Sequence, residues 1–151
     1  MSNSIEAYKK CCGCCACLNV CPKNAIEMNE DENGFLYPRI NKDLCIHCGL
    51  CKSVCEFNAY RNEIDNSNLK VKVACSKNDE LLKKSSSGGI FATIAQRFIQ
   101  DNGIVYGCAL QKENGFLKPM HIRTDNEIDL TKIQGTKYVQ SYIGEIYSNV
   151  K

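Results

Sequence analysis

Two runs of four cysteines constrain this chain more than any other feature. Cys11, Cys14, Cys17 and Cys21 follow the spacing C-x2-C-x2-C-x3-C, with Pro22 next; Cys45, Cys48, Cys51 and Cys55 repeat it, with Glu56 in the proline's place. Four thiolates this close in sequence suit a cuboidal iron–sulfur cluster, because two-residue loops bring three sulfurs onto it while backbone N–H groups turn toward its sulfides. Other uses of dense cysteine fit less well. Zinc sites use separated C-x2-C pairs rather than runs of four. Disulfides do not readily close such short loops, and Met1-Ser2-Asn3-Ser4-Ile5-Glu6 lacks the apolar run of a secretory signal. No stretch approaches the ~20 apolar residues of a membrane span. A reducing, cytoplasmic setting is therefore expected.

In two-cluster ferredoxins the fourth cysteine of each run serves the other cluster. That rule assigns Cys11, Cys14, Cys17 and Cys55 to one 4Fe–4S cluster, and Cys45, Cys48, Cys51 and Cys21 to a second. Cys12 and Cys15 are also three apart, but a shifted register fails at Leu18. Both are read as thiols beside the cluster, packing or tuning it through weak S–H donation. Between the runs, residues 25–28 and 35–40 read as a β-hairpin with Asn33-Gly34 at its turn. Short helical turns are expected over Cys17–Cys21 and Cys51–Cys55. Val20, Ile26, Ile46, Val54 and Phe57 would coat the clusters and keep water out. His47 reads as a neighbour of the second cluster or an exposed group.

Ten of the 12 cysteines precede residue 67, and charge divides at the same place. Residues 1–66 carry 7 basic and 9 acidic side chains; residues 67–151 carry 12 and 8. The stretch from Arg61 to Asn68 reads as a linker, polar and without periodic apolar positions. The fold class is therefore α+β: a two-cluster ferredoxin-like domain at 1–66, then a small α+β module at 67–151. An oxidised cluster with four thiolates carries roughly two negative charges, so two clusters move the first module from −2 to roughly −6. The basic second module is the natural place for an anionic ligand. A net charge of +2, with 24% of residues charged, excludes a basic nucleic-acid coat protein.

The second module opens with a strand expectation at Val71–Cys75. Apolar positions 90, 91, 94, 95, 98 and 99 recur at helical spacing after Ser85-Ser86-Ser87-Gly88-Gly89. A serine N-cap with glycines beside it can expose helix N–H groups to an anion, or simply cap a helix. Residues 104–110 read as a buried strand and 116–123 as an edge strand, joined by Asn114-Gly115. Thr124 and Glu127 fit a capping box for a short helix through Ile133. A last helix is expected from Tyr142 to Tyr147. His121 reads as structural, and Cys75 and Cys108 as packed thiols.

Ser85–Phe91, Ile104–Ala109, His121–Arg123 and Gly135–Ser141, following a two-cluster domain, resemble the N-terminal part of the coenzyme F-420 hydrogenase/dehydrogenase beta-subunit family. The resemblance implies a flavin, usually FAD, exchanging electrons with iron–sulfur clusters and with a deazaflavin or another acceptor. By motif position, Ser86, Ser87, Gly88 and Gly89 would lie near the phosphates, and Lys137, Tyr138 and Gln140 near the flavin. Members of that family continue for a further domain. The chain is therefore expected to be a fragment, or a short form whose other half is a second polypeptide. The function expected is electron transfer within a flavin-dependent oxidoreductase, inactive alone if the other half is essential. Its partner would be a redox protein or second oxidoreductase subunit, with neither nucleic acid nor membrane involved. The rival is a stand-alone ferredoxin-like carrier whose second module docks an enzyme and holds no flavin.

Overall fold

The computed structural model of the chain describes residues 11–57 and 67–150. Most of the expected linker, residues 61–66, lies outside the described residues, as do residues 1–10. Contacts group the described residues into two units. Residues 11–57 and 142–150 form the first, and residues 67–141 the second. The C-terminal segment thus groups with the cysteine-rich unit, whereas the sequence reading assigned it to the second module.

In the first unit, α1 (Ala16–Val20) follows the first cysteine loop and α2 (Leu50–Ser53) follows the second. Strands β1 (Ile26–Glu30) and β2 (Leu36–Ile40) pair antiparallel between them, Ile26 opposite Ile40 and Glu30 opposite Leu36. Asp31 builds the turn: its carboxylate accepts from the N–H groups of Asn33 at 2.9 Å and Phe35 at 2.8 Å. Gly34 takes the left-handed conformation that closes it, at φ 81°.

The internal repeat extends to the backbone. Gly13 and His47, at equivalent places in the two loops, both have positive φ (68° and 54°); so do Cys15 and Gly49 (59° and 79°), which N-cap α1 and α2. Cys15 thus occupies a place that the second loop gives to glycine. Helix α6 (Ile146–Asn149) ends the described chain and packs near α1. The longer helix expected from Tyr142 does not form, because Gly144 turns at φ 60° and helical geometry starts only after it.

The second unit contains α3 (Asp79–Lys83), α4 (Ile90–Gln100), the hairpin β3 (Val105–Glu113) and β4 (Phe116–Thr124), and α5 (Glu127–Ile133). Asn114 and Gly115 make the two-residue turn, both with positive φ, as an Asn-Gly hairpin requires. A small core of Ala95, Ala109, Leu130 and Ile133 joins α4, β3 and α5. Gly107 permits this packing, since a Cβ there would lie 2.9 Å from Ile133 Cδ1.

Several local expectations need correction. Val71–Cys75 forms no strand: the ladder partners of β3 and β4 are each other, and Val73 is fully exposed. Cys75 is exposed, not a packed thiol, and Cys108 is partly buried. Helix α4 is capped by Gly89 in the left-handed conformation, with no serine side-chain bond. It buries Ala92 and Ala95, while Ile90, Phe91, Ile94 and Phe98 remain largely exposed. The apolar arc of α4 is wider than the surface that covers it. The cap of α5 is Asn126, whose side chain accepts from Asp129 N–H at 2.9 Å; Thr124 is buried and its hydroxyl donates to Asn126 O.

Candidate iron–sulfur centre and a cavity in the second unit

Two cavities in the first unit gather the two cysteine runs. One, of about 30 Å³, is lined by Cys11, Cys14 and Cys17 together with Cys55. The other, of about 230 Å³, is lined by Cys45, Cys48 and Cys51 together with Cys21. Each therefore brings three thiols of one run beside the last thiol of the other. The geometry follows from the helices: α1 carries the chain from Cys17 to Cys21, away from the first loop, and α2 leads likewise from Cys51 toward Cys55.

Backbone donors already point at the sulfurs. Gly13 N–H donates to Cys11 Sγ at 3.4 Å, and Ala25 N–H to Cys21 Sγ at 3.3 Å. Such donors favour the thiolate and any cluster charge spread onto the sulfur. Burial acts the other way. It pushes the Cys17 thiol up to about 12, with the charges of Cys11 and Cys14 adding to the effect. It also raises Cys51. Taking up a metal centre must displace these protons. Among the described residues, no three Cys, His, Asp or Glu side chains converge on a site for a single metal ion.

Cys12 and Cys15 also line the first cavity. Cys15 is almost wholly buried and its thiol donates to Gly13 O at 3.5 Å; Cys12 is exposed. Of the apolar coat expected, Ile26 and Ile46 line the second cavity and Phe57 the first. Val20 and Val54 line neither. Met28 and Pro38 wall the first cavity instead. His47 lines the second cavity, its Nδ1 4.0 Å from Cys45 Sγ.

Asn19 is a structural residue the sequence reading missed. Its Nδ2 donates to Cys15 O at 2.9 Å and Gly144 O at 2.7 Å, and its Oδ1 accepts from Ser148 N–H at 3.1 Å and Ser148 Oγ at 3.0 Å. The C-terminal segment is thereby tied to α1. Tyr142 and Tyr147 come close to the first loop, where burial and then thiolate charge (Cys15 for Tyr142, Cys14 for Tyr147) raise their phenols. No local pattern marks this tie, since Gly144 and Ser148 lie more than 120 residues away.

In the second unit a cavity of about 390 Å³ is lined by Ser86, Ser87, Gly88, Gly89 and Lys137, and by the first residues of α4. Tyr138 and Gln140 do not line it, and Tyr138 is 91% exposed. Both glycines have local structural reasons. A Cβ on Gly88 would lie 2.5 Å from Ala74 O, and its own carbonyl accepts from Ser76 N–H at 2.6 Å. Gly89 holds the left-handed cap. Ser86 Oγ accepts from Thr136 N–H at 2.8 Å. Lys137 Nζ donates to three carbonyls, Lys132 at 3.1 Å, Gln134 at 2.8 Å and Gly135 at 3.0 Å. It therefore closes the C-terminal end of α5, where helix carbonyls lack partners and a cation is favoured. His121 Nδ1 lies 2.9 Å from Ser141 Oγ, and burial lowers its pKa.

Comparison with known proteins defines the class of the first unit. Residues 10–59 match the 4Fe-4S dicluster domain family, over about a third of the chain. An uncharacterized ferredoxin of Methanocaldococcus jannaschii is 44% identical over 48 residues, covering 32% of this chain and 26% of that protein. A second uncharacterized ferredoxin from the same organism is 39% identical over 51 residues, 34% of this chain and 65% of the relative. Hydrogenase-4 component A of Escherichia coli is 46% identical over 43 residues, 28% of this chain and 18% of the relative. In each case the match spans less than two thirds of the relative. The cysteine-rich segment is thus a ferredoxin-like iron–sulfur domain within a mixed helix-and-strand chain. No helix among the described residues is long and apolar enough to cross a membrane.

Proposed function

We propose that this chain is a one-electron carrier serving a flavin-dependent oxidoreductase. In this reading Cys11, Cys14, Cys17 and Cys55 hold one 4Fe–4S cluster, and Cys45, Cys48, Cys51 and Cys21 hold a second. The observation that carries the reading is the pairing of thiols in the two cavities, three from one run with the fourth from the other. The donor set fits: eight thiols, with backbone N–H groups already aimed at Cys11 and Cys21. When bound, such clusters accept and release single electrons at potentials set by burial and hydrogen bonds. Met28, Pro38 and Phe57 limit water at the first site, and Ile26 and Ile46 border the second. A reducing, cytoplasmic compartment suits these thiols.

The flavin part of the proposal rests on the second unit and on the motif resemblance. The Ser-Gly loop and the first amides of α4 border a cavity whose volume lies at the lower end of ligand sites, roughly 300–1,000 Å³. This supports a place for the phosphate-bearing part of a flavin nucleotide. Lys137 would contribute charge rather than hydrogen bonds, because its three donors are engaged. A weak flavin site in the isolated chain follows. The test is anaerobic purification with iron, sulfide and flavin analysis. The reading requires about eight irons and eight sulfides per chain, with low flavin occupancy that rises when a second oxidoreductase subunit is added. A few zincs and no sulfide would refute the cluster assignment. A full set of clusters with no flavin under either condition would leave the stand-alone carrier.

A further inference from the structure

The two thiol cavities differ in charge and access. Glu56 is the charged side chain among the residues lining the first. The second has Lys23 and Lys42 in its lining and no carboxylate. Other acidic residues of the first unit include Glu30, Asp31 and Glu32 at the far end of the hairpin; Asp43, exposed beside Lys42, and Glu27, exposed beside Ile26, neighbour residues that line the second cavity without lining it themselves. Exposed Cys12 and Phe57 line the first cavity, but among the candidate ligand thiols access differs in the same sense. Cys48 is exposed, whereas Cys17 is buried. Ile46 and Leu50 in the second lining are 55% and 41% exposed, and Leu44 beside them is 50% exposed. An exposed apolar patch with a charged rim is the anatomy of a docking surface.

We propose that the mouth of the second cavity, with Leu44, Ile46 and Leu50 beside Lys23 and Lys42, is where this chain docks a redox protein bearing carboxylates around an apolar patch. The inference rests on the cluster reading. Electron transfer slows steeply with distance, so a partner gains most by seating where a ligating thiol reaches the surface. Lysines at that mouth select an acidic partner and steer its approach. The local sign opposes the net charge, since the cluster-loaded module is roughly −6. Without the lysines, an acidic partner would be repelled.

Because the partner is unidentified, the test uses small charged probes on the anaerobic holoprotein. Hexacyanochromate(III), a redox-inert paramagnetic trianion, should broaden the hyperfine-shifted β-proton signals of Cys21, Cys45, Cys48 and Cys51 more than those of the other set. The Lys23→Glu/Lys42→Glu variant should lose that selectivity with unchanged iron content. A second arm follows oxidation of the reduced protein by the cobalt(III)–EDTA monoanion, in which one electron leaves a cluster and reduces Co(III) to Co(II). Its rate should fall as salt rises, and in the double variant it should rise instead. Equal broadening of both sets, preferential broadening of the first set, or a parent rate that rises with salt would overturn the proposal. Absence of hyperfine-shifted signals would overturn the cluster reading itself, and the docking proposal with it.

Discussion

Replacing Asn19 with alanine should loosen the C-terminal segment and expose one cluster selectively. The substitution removes one bond within α1, to Cys15 O, and the three that hold the C-terminal segment, one to Gly144 O and two from Ser148. Each contributes about 0.5–1.5 kcal/mol net. Because part of this network is exposed, a total of about 2–4 kcal/mol is a fair estimate for releasing residues 142–150. At 1.4 kcal/mol per tenfold, the segment should detach roughly 30- to 700-fold more often. Detachment carries Tyr142 and Tyr147 away from the first loop, so oxygen should reach the cluster proposed for Cys11, Cys14, Cys17 and Cys55 sooner. Hydrogen exchange at the Ser148 amide reports the opening, and paramagnetic spectra during air exposure report each cluster. Asn19→Asp keeps the acceptor for Ser148 and loses both donors, so it should fall between parent and alanine variant. Unchanged Ser148 protection in Asn19→Ala, or equal acceleration of loss at both clusters, would refute this reasoning.

Cys12→Ala and Cys15→Ala should each retain about eight irons; loss of half the iron in either variant, by metal analysis, would make that thiol a ligand. Burial holds the His121 pKa below 6.5, so the unfolded chain takes up its proton first. Stability contributed by this group is therefore present above pH 6.5 and lost as pH falls through its folded value. Thermal unfolding across this range should show a slope that His121→Asn reduces, and an unaltered slope would refute it. Lys137→Met should destabilise the second unit by about 1–3 kcal/mol through the lost charge-assisted bonds, measured by denaturant unfolding of the full chain. No stability change would mean that the closing of α5 does not depend on Lys137.

The cysteine spacing carried much of the first unit, because cluster ligation is a local geometric demand and the loops that meet it are short. Hairpin β3–β4 was legible for the same reason: Asn114-Gly115 meets the backbone demand of a two-residue turn within its own four residues. Expectations that needed distant partners fared worse. Val71 and Val73 have strand propensity, but nothing in the sequence shows that both strands of the nearby hairpin are satisfied by each other. The helical period of residues 90–99 located α4 correctly, yet it could not tell which part of a broad apolar arc would be covered. Lys137 illustrates a role that the motif did not indicate, beside the cavity position that it did. Its position in a motif suggested a ligand contact, while its place just past the end of α5 and near Gly135 was the available sign of a helix-closing role. The tie through Asn19 had no sign, since Gly144 and Ser148 lie at the other end of the chain.

The crossed pairing of the cysteine runs is the centre of this account, and ligand substitution tests it most directly. Paramagnetic spectra of the reduced, anaerobically prepared Cys14→Ser, Cys55→Ser, Cys48→Ser and Cys21→Ser proteins would resolve the two cluster signals. The account predicts that Cys55→Ser perturbs the same signal as Cys14→Ser, and that Cys21→Ser perturbs the same signal as Cys48→Ser. Grouping of Cys55→Ser with Cys48→Ser, and of Cys21→Ser with Cys14→Ser, would contradict it.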